Sequence, residues 1–241
     1  FKLQPEDLEK AITPKTKAIF LNSPNNPVGS VLDKKDLEAL AAIIDKHNLI
    51  VISDEVYEKI IFDGKKHFSM AQIPEVNERV IIINSFSKTY AMTGWRIGYA
   101  LSNKEISAKM QKIQEGLASC VSSFIQQAAL MAIKGEQNSV KKMISDYSRR
   151  RDILVDGLNA IPGINCKKSP GSFYAFPNIK SFGKNSLDFA VDLLKEGKVV
   201  SVPGSAFGNM GEGYLRFSFS NSDENLKEAV KRIADYIKKK Y

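Results

Sequence analysis

The chain has 241 residues, of which 43% are hydrophobic and 26% are charged, so its composition is that of an ordinary globular protein with ample apolar material for a core. The formal net charge is +8, but the basic residues are spread along the chain and only Lys238, Lys239 and Lys240 form a dense run. We therefore expect no nucleic-acid partner. No apolar run approaches the roughly 20 residues that a transmembrane helix needs, so we expect no membrane partner.

The cysteines and histidines argue against a disulfide framework and against a metal site. Cys120 and Cys166 fit no metal-binding or redox spacing, so we expect two free thiols in a reducing compartment, which favours the cytoplasm. His47 and His67 have no Cys, Asp or Glu cluster at ligand spacing, so the sequence predicts no metal. We expect no signal peptide, and the first residue is Phe1 rather than Met, which leaves processing or truncation open.

The first part of the chain has the element pattern of an α/β fold. Three apolar runs, at residues 18–21, 49–52 and 80–83, are rich in β-branched residues and do not alternate, which predicts parallel strands covered on both faces. Between the first two runs, Asp33 is a candidate N-cap for a helix. The apolar face of this helix is formed by Leu37, Leu40, Ala41 and Ile44. Strand, helix and strand together form a βαβ unit.

The later elements become shorter along the chain. A fourth strand is predicted at residues 97–101, and helices follow at about 104–117, 122–133 and 139–160. Beyond residue 163, strands are predicted at 172–176 and 214–219, and helices at 187–195 and at the C-terminus. We place the start of a second domain within the long helix, which gives predicted domains of residues 1–147 and 148–241.

Polar residues directly follow each of the first three predicted strands. The segments are NSPNNP after the first strand, Ser53-Asp54-Glu55 after the second and Asn84-Ser85 after the third. In open parallel sheets, ligands bind at the carboxyl ends of the strands. The pattern therefore predicts a ligand site at one edge of the sheet.

Two of these segments have both a structural and a functional interpretation. Asp54 is either a cap for the following turn or a buried acceptor for a cationic partner. Tyr57 lies near Asp54 if the segment turns helically, although such a tyrosine is more often a packing residue. Asn26, Pro27 and Gly29 are typical of a turn, but X-Pro bonds at a strand end can also lock an unusual backbone, the cis form included, and so aim the Asn26 side chain.

Lys88 has the sharpest alternatives. A surface lysine needs no particular neighbours, whereas a catalytic amine needs a carbonyl with which to condense. Ser85, Ser87 and Arg96 offer two hydroxyls and a guanidinium, and this donor set suits a phosphate. A lysine beside a phosphate site, with Asp54 for a ring nitrogen, describes a site for pyridoxal phosphate.

Arg216 alternates with aromatic side chains in YLRFSFS, on a predicted strand. It is either an exposed strand arginine or a bidentate clamp for a carboxylate. The preceding FGNMGEG stretch is most simply a loop. It lacks the GxGxxG order, and no GxxxxGK motif occurs in the chain, so a nucleotide-binding fold has no support.

Five motifs resemble those of one enzyme family, in that family's order. They are NSPNNPVG (22–29), SDEVYEKIIFDG (53–64), SFSKTYAMTGWRIGYA (85–100), PGSFYAFP (170–177) and GYLRFSFS (213–220). In these motifs the chain resembles a class I/II aminotransferase of pyridoxal-phosphate fold type I, of the aspartate aminotransferase-like kind. The resemblance implies a three-layer α/β/α large domain with a mostly parallel sheet, present in part, plus a smaller α+β C-terminal domain.

The resemblance also implies pyridoxal 5′-phosphate as the cofactor, and a role for each candidate residue. Lys88 would hold the cofactor aldehyde and later move a proton, and Asp54 would keep the ring nitrogen protonated. The remaining implied roles are contacts with the ring oxygen for Tyr57 and Asn26, phosphate binding for Ser85, Ser87 and Arg96, and substrate binding for Arg216 and Asn26.

The amino-terminal portion of that family has no counterpart in the chain. The resemblance therefore implies a C-terminal fragment with an incomplete site, whose full-length form is a homodimeric aminotransferase acting on an amino acid and a 2-oxo acid, most simply of the aspartate or aromatic type. We expect the fragment alone to be impaired or inactive. Two alternatives stay open: a C–S lyase or another enzyme of the same fold, and a non-catalytic sensing module of a transcription regulator. Tyr57 in DEVY favours the aminotransferase over a lyase.

Overall fold

The structure is a computed structural model that describes residues 1–241. These residues form two compact units. The first unit comprises Phe1–Asn25 and Ser30–Lys141, and the second comprises Asn26–Gly29 and Lys142–Tyr241. The short segment 26–29 therefore belongs with the C-terminal part of the chain. The domain assignment of residues 1–147 and 148–241 stays a prediction.

The first unit contains a four-stranded sheet in the order β1-β2-β3-β4. The strands are β1 (Ala18–Asn22), β2 (Ile50–Asp54), β3 (Val80–Ser85) and β4 (Gly98–Leu101). The first three are parallel and β4 is antiparallel to β3. The predicted α/β class with a mostly parallel sheet is confirmed, and all four predicted strands are present to within two residues at each end.

Helices α1 (Pro5–Ala11) and α2 (Lys34–Lys46) pack in the core of the first unit. Asp33 is the N-cap of α2, as predicted: its side chain accepts from Asp36 N, and Asp36 reciprocates in a capping box. All four residues of the predicted apolar face of α2 are buried. The helix α1 was not predicted, because its seven residues are too few for a helical repeat to emerge from the sequence.

The expectation that the parallel strands are covered on both faces is wrong for this chain. Val51 and Val80 are buried in the core, whereas Phe20 on β1 is 62% exposed and Ile50 and Ile83 are also exposed. A run without alternation predicts two apolar faces, but it does not supply the element that packs on each of them. The core of the first unit lies on the face that carries α1 and α2.

Three further helices lie within the first unit: α3 (Phe86–Thr89), α4 (Lys104–Ala118) and α5 (Ser123–Lys134). The last two match their predictions closely. Helix α4 has no buried residue, and its apolar side chains Ile113 and Leu117 are exposed. Periodicity thus located the helix correctly, while the burial of its apolar face was not realised.

Helix α6 (Asn138–Asn159) leads into the second unit, which also contains α7 (Ser186–Gly197) and α8 (Asp223–Lys240). These helices accompany a three-stranded antiparallel sheet in the order β5-β7-β6. Its strands are β5 (Tyr174–Ala175), β6 (Val202–Pro203) and β7 (Leu215–Ser218). The large side chains that are buried almost completely in this unit are Leu154, Leu158, Ile179, Phe189, Leu193, Leu215 and Phe219.

Strand β5 is shorter than the predicted strand of residues 172–176. Ser172 has a φ of 56°, which is a left-handed conformation that a strand cannot contain. A serine gives no warning of such a backbone, because positive φ values are usually supplied by glycine or asparagine. No helix of this chain is both long enough and apolar enough to cross a membrane.

A charge network joins α6 and α8 within the second unit, and it generates a testable prediction. Arg149 and Arg150 on α6 donate to the Asp223 carboxylate in the first turn of α8. The hydrogen bonds from these two guanidinium groups lower the pKa of Asp223 from 3.8 to about 2. A carboxyl whose pKa is lower in the folded state contributes stability above its ordinary pKa and loses it as the pH falls towards about 2.

We therefore expect Asp223→Asn to lower the melting temperature near neutral pH, and we expect the difference from the unmodified chain to shrink as the pH is lowered from about 5 towards 2. Thermal unfolding followed by circular dichroism across this range measures the effect. Asp235→Asn is the control, because Asp235 is an exposed carboxyl on the same helix. A pH-independent loss in Asp223→Asn would contradict the electrostatic origin of the effect.

Candidate functional site

The polar residues at the strand ends of the first unit do meet at one edge of the sheet. The register places Asn22 opposite Asp54, and Asp54 opposite Ile83. The Asn22 side-chain amide donates to the Asp54 carbonyl oxygen over 3.2 Å. Because these strands are parallel, their carboxyl ends lie side by side. The geometry matches the edge at which the sequence placed a site.

The Asp54 carboxylate is half-buried and has a single polar contact, with Val56 N at 3.2 Å from Oδ1. Burial raises the pKa of Asp54 above its ordinary value of 3.8; the hydrogen bond from Val56 opposes this rise, and the nearby Glu55 charge adds to it. The capping interpretation is thus correct for one oxygen. The carboxylate nonetheless keeps acceptor capacity for a cationic donor, which would offset the cost of burial.

Glu55, the next residue, is engaged in a different way. Its carboxylate is almost fully buried and accepts hydrogen bonds from Ser53 Oγ and Ser69 Oγ at 2.9 and 2.8 Å. His67 Nε2 lies 2.7 Å from its other oxygen. These bonds fix the turn that follows β2, so Glu55 stabilises the fold, and the Asp54 carboxylate makes none of them.

The expectation that His67 has no acidic cluster around it is wrong. Its ring nitrogen and the carboxylates of Glu55 and Glu58 lie within 4.8 Å of one another. The assumption failed because His67 lies 12 residues beyond Glu55 and is brought back by the chain between them. These contacts are accounted for by the hydrogen bonding of the buried Glu55 carboxylate.

Lys88 lies on α3, directly beyond the end of β3. Its neighbours Phe86 and Thr89 are buried, so they anchor this short helix, while Lys88 itself is half-buried. The Lys88 ammonium lies 6.0 Å from the centroid of the Tyr57 ring, and Tyr57 is 4% exposed. Lys88, Tyr57 and Asp54 are therefore held at the same end of the sheet, on segments that follow β2 and β3.

The antiparallel pairing of β3 and β4 brings Ser85 towards Arg96. Ser85 pairs with Gly98, and a Cβ atom on Gly98 would lie 2.7 Å from the Asn84 carbonyl oxygen, so this close approach requires glycine. The Ser85 hydroxyl accepts from Ser87 N and donates to Ile97 O. The three predicted anion-binding residues, Ser85, Ser87 and Arg96, thus lie on chain segments joined by this register.

Arg96 adopts a left-handed backbone with a φ of 53°, and its side chain is exposed. One guanidinium nitrogen donates to Thr93 O over 2.8 Å. The remaining N–H groups can donate to a phosphate, which a guanidinium binds through a planar fork.

Asn26 and Arg216 are brought together in the second unit. The Arg216 guanidinium donates to Asn26 Oδ1 over 2.8 Å, although the two residues are 190 positions apart. The Asn26-Pro27 bond is cis, as is Ser23-Pro24, so the second of the two interpretations of this segment, an unusual backbone, describes it. Arg216 is half-buried rather than an exposed strand arginine.

A glycine contact fixes the segment of residues 26–29 in the second unit. Gly171 N donates to Gly29 O over 3.0 Å, and a Cβ atom on Gly29 would lie 2.4 Å from the Cβ atom of Ser169. Gly29 also has a φ of 68°. Both the close approach and the left-handed backbone require glycine at this position, and they set the position from which Asn26 reaches Arg216.

Two aromatic residues near Arg216 were missed by sequence reasoning. The guanidinium carbon lies 4.5 Å from the ring centroid of Tyr174 and 5.0 Å from that of Phe207. Tyr174 lies within the motif PGSFYAFP, and Phe207 lies in the stretch FGNMGEG, for which the sequence predicts only a loop. The sequence contains part of a signal, because the predicted strands at residues 172–176 and 214–219 are both rich in aromatic residues.

Comparison with known protein families gives a match over nearly the whole chain. The family model described as "Aminotransferase class I and II" matches residues 1–233. Among curated proteins, aromatic-amino-acid aminotransferase 2 of Thermococcus litoralis is 45% identical and an aspartate aminotransferase of Pyrococcus abyssi is 47% identical, each over 100% of this chain. The chain spans only 62% of the length of each of these two relatives.

Solved structures give the same result. A crystal structure of an aromatic aminotransferase from Pyrococcus horikoshii matches with a TM-score of 0.97 and 45% identity, over 99% of this chain and 64% of that one. An aspartate aminotransferase from Rhizobium meliloti matches with a TM-score of 0.94 and 38% identity, over 98% of this chain and 62% of that one.

The raised pKa of Asp54 generates a prediction about stability. A carboxyl whose pKa is raised by folding destabilises the folded state once the pH exceeds that raised pKa, and this penalty is absent below the ordinary value of 3.8. Asp54→Asn keeps the acceptor for Val56 N and removes the charge. We therefore expect it to raise the melting temperature of the cofactor-free chain near neutral pH and to leave it unchanged near pH 3.

Thermal unfolding at the two pH values measures this effect, with Asp54→Ala as the matched control that loses the acceptor as well as the charge. We expect Asp54→Ala to be less stable than Asp54→Asn. If Asp54→Asn is destabilised near neutral pH, the carboxylate is a structural element and the argument from burial is incorrect.

Proposed function

Because the chain belongs to the class I and II aminotransferase family, we propose that the intact protein is a pyridoxal-phosphate-dependent aminotransferase that moves an amino group from an L-amino acid to a 2-oxo acid. The observation that carries the proposal is the half-buried Asp54 carboxylate, which has no cation beside it and lies at the same strand edge as Lys88. The chain spans only 62% of the length of the curated relatives named above. The activity is therefore proposed for a longer protein that also contains the counterpart of their remaining residues.

The residues of the first unit fit the cofactor that this family generally uses. Lys88 offers an amine for the aldehyde, Asp54 offers a buried acceptor for a protonated ring nitrogen, and Arg96 offers guanidinium donors for the phosphate. When bound, pyridoxal phosphate supplies an electron sink that stabilises negative charge at the α-carbon of an amino acid. The fit is supported by the raised pKa of Asp54, because a cationic partner would relieve its desolvation.

Each side chain in the first unit has a defined task in this proposal. Lys88 Nζ binds the cofactor and carries a proton to and from the substrate α-carbon. Asp54 holds the proton on the ring nitrogen. Tyr57, which is buried beside Lys88, donates its hydroxyl proton to the ring oxygen. Ser85 would turn its hydroxyl from Ile97 O to the phosphate, and Ser87 would add a second hydroxyl.

In the second unit, Arg216 is proposed to bind the α-carboxylate of the substrate. One guanidinium nitrogen is committed to Asn26, which leaves further N–H groups for a bidentate carboxylate contact. Asn26 would orient the arginine by this bond and donate to the cofactor ring oxygen through its amide nitrogen.

For the donor we propose aspartate or an aromatic amino acid, because the relatives named above are aspartate and aromatic aminotransferases. The α-carboxylate, which Arg216 would read, is common to both. The proposal includes a homodimer and a cytoplasmic location. The latter is supported by Cys120 and Cys166, which are both free thiols.

Lys88→Ala tests the proposed anchor. In the intact protein incubated with pyridoxal phosphate, we expect borohydride to fix the cofactor on Lys88, as detected by peptide mass spectrometry. We expect Lys88→Ala to lose this adduct and at least about 100-fold of its amino-transfer rate, since the variant lacks both the anchor and the proton carrier. Lys65→Ala, an exposed lysine outside the cluster, is the control and should retain both. Retention of the borohydride-fixed adduct by Lys88→Ala would refute the assignment.

The reaction itself is tested by a screen of amino donors with 2-oxoglutarate, in parallel on the intact protein and on the 241-residue chain. We expect the intact protein to form glutamate and the 241-residue chain to be impaired, because it spans only part of its relatives. Release of a thiol without amino transfer would instead indicate a lyase. Equal rates for the two forms would contradict the expected impairment of the shorter chain.

A further inference from the structure

The Arg216 guanidinium is held by aromatic rings as well as by a hydrogen bond. Its carbon lies 4.5 Å from the Tyr174 centroid and 5.0 Å from the Phe207 centroid, and both distances are within the range of cation–π contacts. Tyr174 is buried, whereas Phe207 is 37% exposed. A ring contact orients the plane of a guanidinium without using any of its N–H groups.

Most of the hydrogen-bond donors of the Arg216 guanidinium are not used within the chain. Of the five N–H groups of Arg216, the bond to Asn26 Oδ1 takes one. Arg216 has no salt bridge, so no acidic side chain of this chain occupies its fork. The aromatic contacts therefore restrict the orientation of the side chain and leave the fork open for a carboxylate.

Phe207 is presented by a loop, residues 204–213, that is held at both ends. Gly204 N donates to Tyr214 O over 2.8 Å, and a Cβ atom on Gly204 would lie 1.9 Å from Gly211 O, so the two ends of the loop are in contact. The Glu212 carboxylate accepts from Ser186 N and Ser186 Oγ at the start of α7.

The Phe207 ring also contacts Phe176, with centroids 6.4 Å apart. Phe176 is in turn stacked on Tyr214 at 5.1 Å. The position of Phe207 is therefore set by backbone closure of the loop and by ring packing together.

We propose that Phe207, together with Tyr174, is a positioning residue for the carboxylate-binding arginine: its ring fixes the plane of the Arg216 guanidinium and so pre-orients the fork towards the α-carboxylate of the substrate. This inference rests on the proposed function. It goes beyond it by assigning a task in substrate binding to Phe207, a loop residue that would act through its contact with Arg216.

The consequence is a specific kinetic pattern. If Phe207 acts through Arg216, its loss weakens binding of the group that all amino acids share. We expect Phe207→Leu, which keeps apolar bulk but lacks a ring, to raise KM by about 3- to 30-fold, as for the loss of one cation–π contact. The increase should be the same for an acidic and an aromatic donor, and kcat should stay within about twofold, because binding before the chemical step is what changes.

The experiment is carried out on the intact protein with the cofactor bound. It measures KM and kcat for two donors with different side chains, and the Kd of 3-phenylpropanoate, a carboxylate without an amino group, by calorimetry. Phe207→Tyr retains the ring and should remain close to the unmodified protein. Met210→Ala changes an 81% exposed residue of the same loop that has no ring contact with Arg216, and it should have no effect.

The possible results distinguish the role of Phe207 from the proposed aminotransferase activity. An unchanged KM and Kd in Phe207→Leu, or an increase for only one donor, would overturn the positioning role while leaving the proposed function intact. An equal increase in Met210→Ala would do the same, because it would indicate a general disturbance of the loop. If the unmodified intact protein transfers no amino group from any donor, the proposed function and this inference fail together.

Discussion

The parallel register of β1, β2 and β3 is the constraint on which the candidate site depends. Main-chain pairing places Asn22 beside Asp54 and Asp54 beside Ile83, so the three strands end at the same edge of the sheet. The polar groups at these ends are satisfied by loops, by each other, by water or by a ligand. A shift of one residue along β2 would turn the Asp54 side chain to the opposite face.

Two consecutive carboxylates at this edge serve different purposes. Glu55 is buried, accepts hydrogen bonds from two serine hydroxyls and contacts the His67 ring nitrogen, so both of its carboxylate oxygens have partners within the protein. Asp54 has one backbone donor, and burial raises its pKa. The hydrogen bonds of Glu55 fix the turn. This turn holds Asp54, whose carboxylate has fewer partners, in a half-buried position at some cost to stability. Such a cost is typical of residues that function in binding.

In the second unit, the cationic Arg216 side chain is held in place without a neutralising carboxylate. Arg216 is held by one amide oxygen and two aromatic rings instead of by a carboxylate. A paired carboxylate would occupy the fork that a substrate needs, whereas ring faces do not compete for it. The glycine at position 29 contributes to the same arrangement, because only glycine allows the approach that brings Asn26 to the arginine.

The sequence by itself determined the class of fold, the strands and helices with strong periodicity, and the identities of Lys88, Asp54 and Arg216 as candidates. These features are local, because runs of β-branched residues, capping residues and motifs can each be recognised within a short segment of the sequence. Only the tertiary structure decided which apolar faces are covered, that Ser172 lies outside the strand β5, and that His67 packs on Glu55. The contacts of Asn26 and Phe207 with Arg216 also belong to this second group. Each of these depends on packing or on residues far apart in the chain, and a pattern of neighbours along the sequence carries no record of contacts formed in space.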